Sequence, residues 1–386
     1  MPDTTHQEDV YRRLGVATVI NASGMMTALG GSLPSPRVSA AMAEAAGAHV
    51  RIDDLMAAAG RRIAAATGTE AGCPTSGAAA GIAISAAAVI AGTSLPAVER
   101  LPDTGGLPDE IVLPLGHAVH FGAPVTQMVR LGGGRPVVVG SANTVTADHL
   151  EGAIGARTAA LLYVQSHHAV RKGMPPLAEF AAVARRNGVP LIIDAAAEED
   201  LRAYAAAGGD LVVYSGGKAV GGPASGFICG RSDLVAACRM QYQGVARAMK
   251  VGKETIAGLV AALEAYTGVG RSDDADGPAQ AADQRTRMEE LRDGVAAIPG
   301  LRAAVVPDEA GRAIVRCEIR VDPAATGLSA EDVVARLAAG DPAIVVRGHR
   351  AAEGVFAVDP RPLAPGEEHA VLRRLAEIMT PPQDPA

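Results

Sequence analysis

Short apolar runs rich in β-branched residues alternate with Ala-rich stretches between about residues 110 and 230, and this alternation constrains the fold of the 386-residue chain most strongly. The pattern is typical of a parallel sheet with helices on its faces. A helix is predicted at 176–187, where Asn-Gly forms a favoured C-terminal stop. The predicted strands are 110–113, 159–163, 190–193, 211–214 and 225–229. We therefore expect an α/β fold with a mainly parallel sheet.

A polar stretch at 271–283, RSDDADGPAQAAD, follows a long helical pattern at 253–266 and predicts a domain boundary. We expect an N-terminal segment, 1–40, a large domain, 41–268, and a small C-terminal domain, 269–386. The small domain has an α+β pattern, with a helix at 330–339 and strands at 313–321, 343–347 and 354–358.

Composition excludes several classes of partner. The net charge is -7 and the basic residues are scattered, which argues against a nucleic-acid partner. The four cysteines form no CxxC pair and have no His neighbours at ligand spacing, so neither disulfides nor a metal site is predicted. The longest apolar run, 77–92, is too short and too interrupted to cross a membrane. A cytoplasmic enzyme with a small-molecule substrate is expected.

Two polar residues follow neighbouring predicted strands. One strand ends on Asp194, and the next is followed by Ser215-Gly-Gly-Lys218. Open α/β sheets bind ligands at this carboxyl edge. A buried carboxylate that keeps a pyridine nitrogen protonated and a lysine that forms a Schiff base are the groups that pyridoxal 5'-phosphate (PLP) needs. Ser215 is placed to donate to its phosphate.

The structural alternative makes Asp194 a helix N-cap and Lys218 a solvated loop residue. Each is reasonable singly, but the combination of both with a Gly-flanked lysine and a nearby serine favours the PLP interpretation. Lys218 is also one of only four lysines among 35 basic residues. We therefore predict that Lys218 and Asp194 are catalytic residues.

Further candidates surround this pair. Thr75, Ser76 and Gly77 precede an Ala-rich helix, whose free N–H groups favour a phosphate; ordinary helix capping is the alternative. Histidines follow two of the strands and are candidates for ring stacking or for a second acid or base, or are merely bonded in the wall. They are His117, His120, His167 and His168.

Two arginines of the small domain are candidates for holding a substrate carboxylate, because the guanidinium fork matches it. Arg347 follows an apolar strand in AIVVRGHR, and Arg361 lies in DPRPL. Solvated surface arginines are the alternative for both.

The chain resembles the bacterial selenocysteine synthase (L-seryl-tRNA(Sec) selenium transferase) family of fold-type I PLP enzymes, in particular its branch related to D-glucosaminate-6-phosphate ammonia lyase. The resemblance rests on strings spread over residues 11–375. They are VINASG at 19–24, TSGAAAG at 75–81, IIDAAAEEDL at 192–201, YSGGKAVGGPASG at 214–226 and RAMKVGKETIAGLVAALEAY at 247–266.

The resemblance implies a fold-type I architecture with a mainly parallel large domain and a smaller α+β domain. It implies Lys218 as the Schiff-base lysine, Asp194 as the pyridinium partner and His117 as the ring-stacking residue. Phosphate contacts are implied for Thr75, Ser76, Gly77, Ser215 and the segment with Arg247. Substrate contacts are expected from Arg347 and His168. Because sites of this fold are usually shared, a homodimer or a higher homo-oligomer is expected.

The favoured function is a carbon–nitrogen lyase that acts at Cα and Cβ of a small amino acid or amino sugar acid and gives a 2-oxo acid and ammonia. An aldolase or a racemase would use the same residues. A tRNA-dependent selenium transferase is disfavoured, because VINASG begins at residue 19 and leaves no room for a tRNA-binding domain before it. A relative without catalysis would have lost Lys218 or Asp194, and both are present.

Overall fold

The computed structural model describes residues 10–166, 169–268, 277–308 and 314–380, with side chains for all of these except 277–281. They form two compact units. One is Gly30–Ser272, and the other joins Met1–Leu29 to Asp273–Ala386. These limits differ from the predicted segment at 1–40. The predicted limits of a large cofactor-binding domain, 41–268, stay a prediction.

Twelve strands and fifteen α-helices lie within the described residues. The strands are β1 (Val19–Ala22), β2 (Ala71–Thr75), β3 (Glu110–Pro114), β4 (Arg135–Val139), β5 (Thr158–Val164), β6 (Leu191–Asp194), β7 (Leu211–Ser215), β8 (Gly226–Gly230), β9 (Leu301–Pro307), β10 (Val315–Val321), β11 (Ala343–Val346) and β12 (Val355–Val358). The helices are α1 (Val10–Arg13), α2 (Pro36–Ala46), α3 (Ile52–Thr67), α4 (Ala78–Ala91), α5 (Leu95–Arg100), α6 (Val125–Leu131), α7 (Ala147–Glu151), α8 (Leu177–Arg186), α9 (Ala203–Ala206), α10 (Ser232–Met240), α11 (Lys253–Thr267), α12 (Gly277–Ala296), α13 (Pro323–Thr326), α14 (Ala330–Ala338) and α15 (Glu367–Met379).

The larger unit is built on a seven-stranded sheet in the order β2-β8-β7-β6-β5-β3-β4. The five predicted strands are present within one residue of the predicted limits. Strand β8 is antiparallel to both β7 and β2, whereas the central strands are parallel. The connection from β7 to β8 is too short for the crossover that a parallel pair requires, so the chain turns back directly.

Helix α4 lies directly on this sheet. Ten of its residues are buried, and an added Cβ at Gly81 would lie 2.5 Å from Cγ1 of Val213 in β7. Ala and Gly therefore permit a close approach of helix and strand. Alternate residues of β3 enter cores on opposite faces of the sheet, Ile111 in one and Val112 in the other. Both faces are thus covered, as predicted for a parallel sheet.

In the smaller unit β1 pairs in parallel with β11, and β12, β10 and β9 form an antiparallel sheet. The pairing of β1 with β11 explains why Met1–Leu29 belongs to this unit. Strand β9 was not predicted, and residue 313 of the predicted strand 313–321 lies outside the described residues. Among the helices that the structure describes, none has the length and apolar character needed to cross a membrane.

Candidate active site

Asp194 is the last residue of β6 and lies at the centre of the carboxyl edge of the sheet. Its register partners are Val164 in β5 and Val213 in β7. The carboxyl group is buried, and Oδ1 accepts a hydrogen bond from the Ala196 N–H at 3.1 Å. Burial raises the pKa of Asp194 to about 6, although the Ala196 hydrogen bond and the charge of Lys218 act in the opposite direction.

Lys218 follows β7 in a turn and is half-buried. Its charge acts on Asp194, so the structure brings the two predicted residues to one edge of the sheet. The turn is tightly packed: an added Cβ at Gly216 would lie 2.2 Å from Oγ of Ser225. Packing therefore requires glycine at position 216, and this tight packing supports a fixed position for the backbone of Lys218.

The start of α4 lies beside the end of β7. Gly226 in β8 pairs with Ser215 on one side and with Thr75 on the other. An added Cβ at Gly226 would lie 2.6 Å from the carbonyl carbon of Gly77, so the backbone before α4 crosses directly over β8. Helix α4 has no side-chain N-cap, and an added Cβ at Gly77 would meet open space. The free N–H groups of its first turn form an anion cradle beside Ser215.

Two of the predicted phosphate contacts differ in availability. Ser76 is exposed next to the cradle, whereas the buried Thr75 hydroxyl donates to the Gly77 carbonyl at 2.9 Å. Thr75 therefore shapes the loop before α4 in this structure. A phosphate contact from its hydroxyl would require this hydrogen bond to be exchanged.

His117 lies in a 3-10 turn after β3, Leu115–His117, and is fixed by its neighbours. Its Nδ1 accepts from the Val164 N–H at 3.2 Å, and its ring meets Tyr163 edge-on at 4.6 Å between centroids. The proton of the neutral ring is therefore on Nε2. Burial, and then the charge of Arg171, lower the pKa of His117 to about 4. Only 1% of the residue is exposed, which fits the wall-bonded alternative and leaves little ring face for stacking.

Of the other predicted histidines, the structure describes His120. His120 is exposed, and its Nδ1 accepts from the Gly122 N–H at 3.3 Å. His167 and His168 lie outside the described residues.

The basic segment after α10 contains residues in two different settings. Arg247 is exposed, and its N–H donates to the Gly244 carbonyl at 2.9 Å. Lys253 donates to the carbonyl oxygens of Ala45 and Ala46 at the end of α2 and pairs with Glu254 at 2.8 Å. Lys253 therefore caps α2.

The two arginine candidates lie in the smaller unit. Arg347 follows β11 and lines a cavity of about 220 Å³ together with Arg316 and Arg350. Arg361 pairs with Asp359 through two hydrogen bonds of 2.9 Å and is largely buried, so it is not a solvated surface arginine. Burial alone would raise the pKa of Asp359, but Arg361 and Arg316 lower it to about 2.

Several residues around the lysine were not identified from the sequence. Ser32 donates through its N–H to the Gly217 carbonyl at 3.0 Å, and an added Cβ at Gly31 would lie 2.5 Å from the same oxygen. The Gly-Gly-Ser string at 30–32 was a signal for such a close approach. On the other side of Asp194, Glu198 accepts from the Tyr204 hydroxyl at 2.7 Å. No local pattern pointed to that pair.

These features fit PLP. Oδ1 of a buried carboxyl group accepts a backbone hydrogen bond, a lysine lies beside this carboxyl group, and an open anion cradle follows β2. A ring nitrogen that carries a proton would complete the surroundings of Asp194, and a phosphate would occupy the cradle at α4.

The fold is that of fold-type I PLP enzymes. The serine palmitoyltransferase of Sphingomonas wittichii superposes with a TM-score of 0.57 at 16% identity, covering 93% of this chain and 87% of that one. The N-succinyldiaminopimelate aminotransferase of Mycobacterium tuberculosis superposes with a TM-score of 0.54 at 20% identity, covering 95% and 94%.

The family model for L-seryl-tRNA selenium transferase (SelA) matches residues 19–275, and the chain belongs to this family. PLP is the cofactor that this family and the fold imply. The L-seryl-tRNA(Sec) selenium transferase of Moorella thermoacetica is 30% identical over 95% of this chain and 83% of its own length.

Two relatives are more similar. The D-glucosaminate-6-phosphate ammonia lyase of Salmonella typhimurium is 48% identical over 96% of this chain and 98% of its own length. A solved structure of a D-glucosaminate-6-phosphate ammonia-lyase has a TM-score of 0.88 at 48% identity and covers 97% of this chain and 98% of that one. The 5'-C-glycyluridine monooxygenase-decarboxylase of a Streptomyces species is also 48% identical, over 96% of this chain and 92% of its own length.

Proposed function

We propose that the protein is a PLP-dependent carbon–nitrogen lyase that converts an amino sugar acid or a small amino acid with a β-hydroxyl group into a 2-oxo acid and ammonia. The juxtaposition of Asp194 and Lys218 at the carboxyl edge of the sheet carries the proposal. The reaction class is supported by 48% identity, over nearly the whole chain, to an ammonia lyase.

Asp194 and Lys218 would have different roles in the reaction. Bound PLP withdraws electrons from the bonds at the substrate Cα. Asp194 would hold the proton on the ring nitrogen, because a buried carboxylate stabilises a positive charge beside it more strongly than water does. Lys218 would hold the cofactor covalently through Nζ and, once displaced by the substrate amine, would remove the proton from Cα.

The phosphate would be held by the first turn of α4 and by Ser215, which flank Gly226. Ser76 and Gly77 would contribute N–H groups, with Thr75 shaping the loop. We propose substrate contacts from Arg347 and His168, and contact between the His117 side chain and the cofactor ring. His117 would act as a neutral donor through Nε2, because Nδ1 is engaged by Val164.

The reaction balances without another reactant. Lys218 takes the Cα proton, and the β-hydroxyl group leaves with a proton as water. Hydrolysis of the resulting enamine consumes one water molecule and yields the 2-oxo acid and ammonia. The net change is therefore loss of ammonia, with water lost and regained.

We also propose a cytoplasmic homodimer in which Arg247 reaches the cofactor phosphate of the neighbouring subunit. The exposed position of Arg247 leaves it available for such a contact. Two-fold symmetry is the commonest arrangement of homo-oligomers. The four cysteines are all buried thiols, which is compatible with a reducing compartment.

The test is a screen of D- and L-amino acids and amino sugar acids, with and without phosphate, for change in the visible absorbance of bound cofactor and for release of ammonia and a 2-oxo acid. Stoichiometric ammonia and 2-oxo acid without oxygen uptake would support the lyase. Spectral change with a racemised or carbon-cleaved product would contradict it.

A second candidate is oxidative decarboxylation of an amino acid, because the monooxygenase-decarboxylase relative is equally similar to this chain. This reaction would consume molecular oxygen and release carbon dioxide. An oxygen electrode and trapping of carbon dioxide in the same screen separate the two functions, since the lyase consumes no oxygen.

A further inference from the structure

The loop after β6 is acidic and is held in place by tyrosines. It comprises residues 195–200, AAAEED, and is called the acidic loop below. Three of the six tyrosines of the chain donate their hydroxyl groups to it. Tyr204 donates to the carboxylate of Glu198 at 2.7 Å. The other two donate to backbone carbonyl oxygens of the loop, at 3.1 Å from Tyr214 and at 2.7 Å from Tyr266.

The backbone of the acidic loop is bonded both to β7 and to Asp194. The Ala195 N–H donates to the Val213 carbonyl at 2.9 Å. The Ser215 N–H donates to the Ala196 carbonyl at 3.2 Å, and the Ala196 N–H donates to Oδ1 of Asp194 at 3.1 Å. The loop, the Asp194 carboxyl group and the end of β7 therefore form one hydrogen-bonded unit.

Glu198 is fixed within this unit at both its backbone and its side chain. Its N–H donates to the Ala195 carbonyl at 3.0 Å, and its carboxylate accepts from Tyr204. The residue is only partly exposed, so water screens its charge less than it would at the surface. This charge adds to burial in raising the pKa of Asp194. A second carboxylate thus acts on Asp194 from a fixed position.

Charges of both signs act around these two carboxylates. Lys218 opposes the rise in the pKa of Asp194. The other titratable side chains come from β5, the loops after β3 and β5, α9 and β7, and they are Tyr163, His117, Arg171, Tyr204 and Tyr214. Burial raises the pKa of each of these tyrosines and lowers that of His117 to about 4, so these four are neutral near pH 7. Glu198 therefore opposes the positive charges of Lys218 and Arg171.

We propose that Glu198, held by Tyr204, is a positioning residue that acts through Asp194 to keep the ring nitrogen of the cofactor protonated. This inference rests on the proposed role of Asp194 at that nitrogen. Two carboxylates hold a neighbouring proton more tightly than one does, because each adds negative potential at the same place. Tyr204 keeps the second carboxylate turned towards this place and away from solvent.

The experiment compares the affinity of the full chain for PLP with its affinity for the carbocyclic analogue in which CH replaces the ring nitrogen. Both compounds carry the aldehyde and the phosphate, so the comparison isolates the protonated nitrogen. Glu198→Gln should weaken binding of PLP about threefold at pH 8, which corresponds to about half a pH unit in the binding of one proton. Its affinity for the analogue should stay unchanged. Titration calorimetry measures both, without any turnover.

Glu199→Gln is the matched control, because it removes the same charge from the next residue of the acidic loop. The Glu199 charge acts on Tyr266 at the end of α11. Glu199→Gln should bind both compounds as the wild type does. Tyr204→Phe loses the hydroxyl group that orients Glu198 and should show part of the weakening for PLP. Tyr266→Phe removes a bond to the backbone of the same loop and should show none.

A double-mutant cycle without cofactor tests the action of Glu198 on Asp194 directly. Because burial raises the pKa of Asp194 to about 6, Asp194→Asn should stabilise the apoprotein at pH 7.5. In the Glu198→Gln background this stabilisation should be smaller by about a quarter, because Glu198 causes part of the raised pKa. Gln keeps an acceptor oxygen for Tyr204 and removes only the charge. Denaturant unfolding of the four proteins gives the result.

Three results would overturn the inference: equal weakening of PLP and the analogue by Glu198→Gln, equal weakening of PLP by Glu199→Gln, and a stabilisation by Asp194→Asn that does not depend on Glu198. Failure of the proposed function has a different signature. If Asp194→Asn itself leaves the preference for PLP over the analogue unchanged, Asp194 does not meet the ring nitrogen. A preference that is lost in Asp194→Asn but kept in Glu198→Gln would refute the role of Glu198 alone.

Discussion

Asp194→Asn should stabilise the protein when the cofactor has been removed and should lose this effect when the cofactor is bound. Asn has nearly the same shape, and its Oδ1 still accepts the hydrogen bond from the Ala196 N–H. The substitution therefore removes the charge and little else. A helix N-cap, the structural alternative for Asp194, predicts no dependence on the cofactor.

The magnitude follows from the pKa of Asp194, which burial raises from 3.8 to about 6. Between these values the folded state holds a proton that the unfolded state has released, so the free energy of unfolding falls as pH rises. The loss is complete above about pH 6, and a shift of about two units corresponds to roughly 3 kcal/mol. Asn is neutral, so the variant does not lose this free energy of unfolding as the pH rises. Apo Asp194→Asn should thus gain up to about 3 kcal/mol at pH 7.5 and almost nothing near pH 4.

The assay is denaturant unfolding of apo and holo protein between pH 4 and 8, with wild type and variant measured in parallel. In the holo form a protonated ring nitrogen beside the carboxylate should cancel or reverse the gain, because Asn offers no charge to that partner. Asp210→Asn is the matched control. Asp210 lies at the amino edge of the same strand pair, accepts from the Leu191 N–H at 2.8 Å and pairs with Arg231.

Two results would refute the reasoning. Equal stability of apo wild type and apo Asp194→Asn at pH 7.5 would show that burial does not raise the pKa of the Asp194 carboxyl group. A gain that persists unchanged in the holo form would show that the cofactor does not meet Asp194. Asp210→Asn should give no stabilisation in either form, because it loses an ion pair.

The remaining predictions concern the cofactor cradle, the helix cap and the assembly. Lys218→Ala should lose covalently bound cofactor and its visible absorbance, and borohydride reduction with peptide mapping of the wild type should label Lys218; a label on another lysine would contradict the assignment. Gly226→Ala should weaken cofactor binding and cost about 1 to 3 kcal/mol in unfolding, because its Cβ would lie 2.6 Å from the Gly77 carbonyl carbon; unchanged cofactor affinity would argue against the cradle. Lys253→Met should cost about 1 kcal/mol by removing the cap of α2, with cofactor content unchanged; a loss of cofactor at equal stability would place it in the site instead. Mixing Arg247→Ala with Lys218→Ala protein should restore activity in hybrid dimers, and no rescue after verified subunit exchange would remove the shared-site hypothesis.

Much of the fold could be predicted because its signals are local. The five strands at 110–230 were identified from apolar runs whose lengths suit fully buried strands, and all five occur within one residue of prediction. Strands β1, β2, β4 and β9 were not predicted. Strands β2 and β4 contain proline, which weakens the strand pattern, and β2 is held in the sheet by β8, more than 150 residues later.

Asp194 and Lys218 could be predicted from local signals in the same way. Asp194 ends β6 and Lys218 comes three residues after the end of β7, and the parallel arrangement of β6 and β7 brings both to one edge. The Gly-flanked lysine and the small residues before α4 could likewise be recognised in single short strings.

The sequence by itself therefore determined the five strands at 110–230, their polar ends and the cofactor chemistry that those ends favour, because each of these depends on neighbours along the chain. Only the tertiary structure decided which distant groups meet. The bond from Val164 to His117, the capping of α2 by Lys253 and the bond from Val170 to Gly116 join segments far apart in sequence. Burial and charge at these meeting points arise from packing of the whole sheet, so the low pKa of His117 and the raised pKa of Asp194 have no local sequence signal.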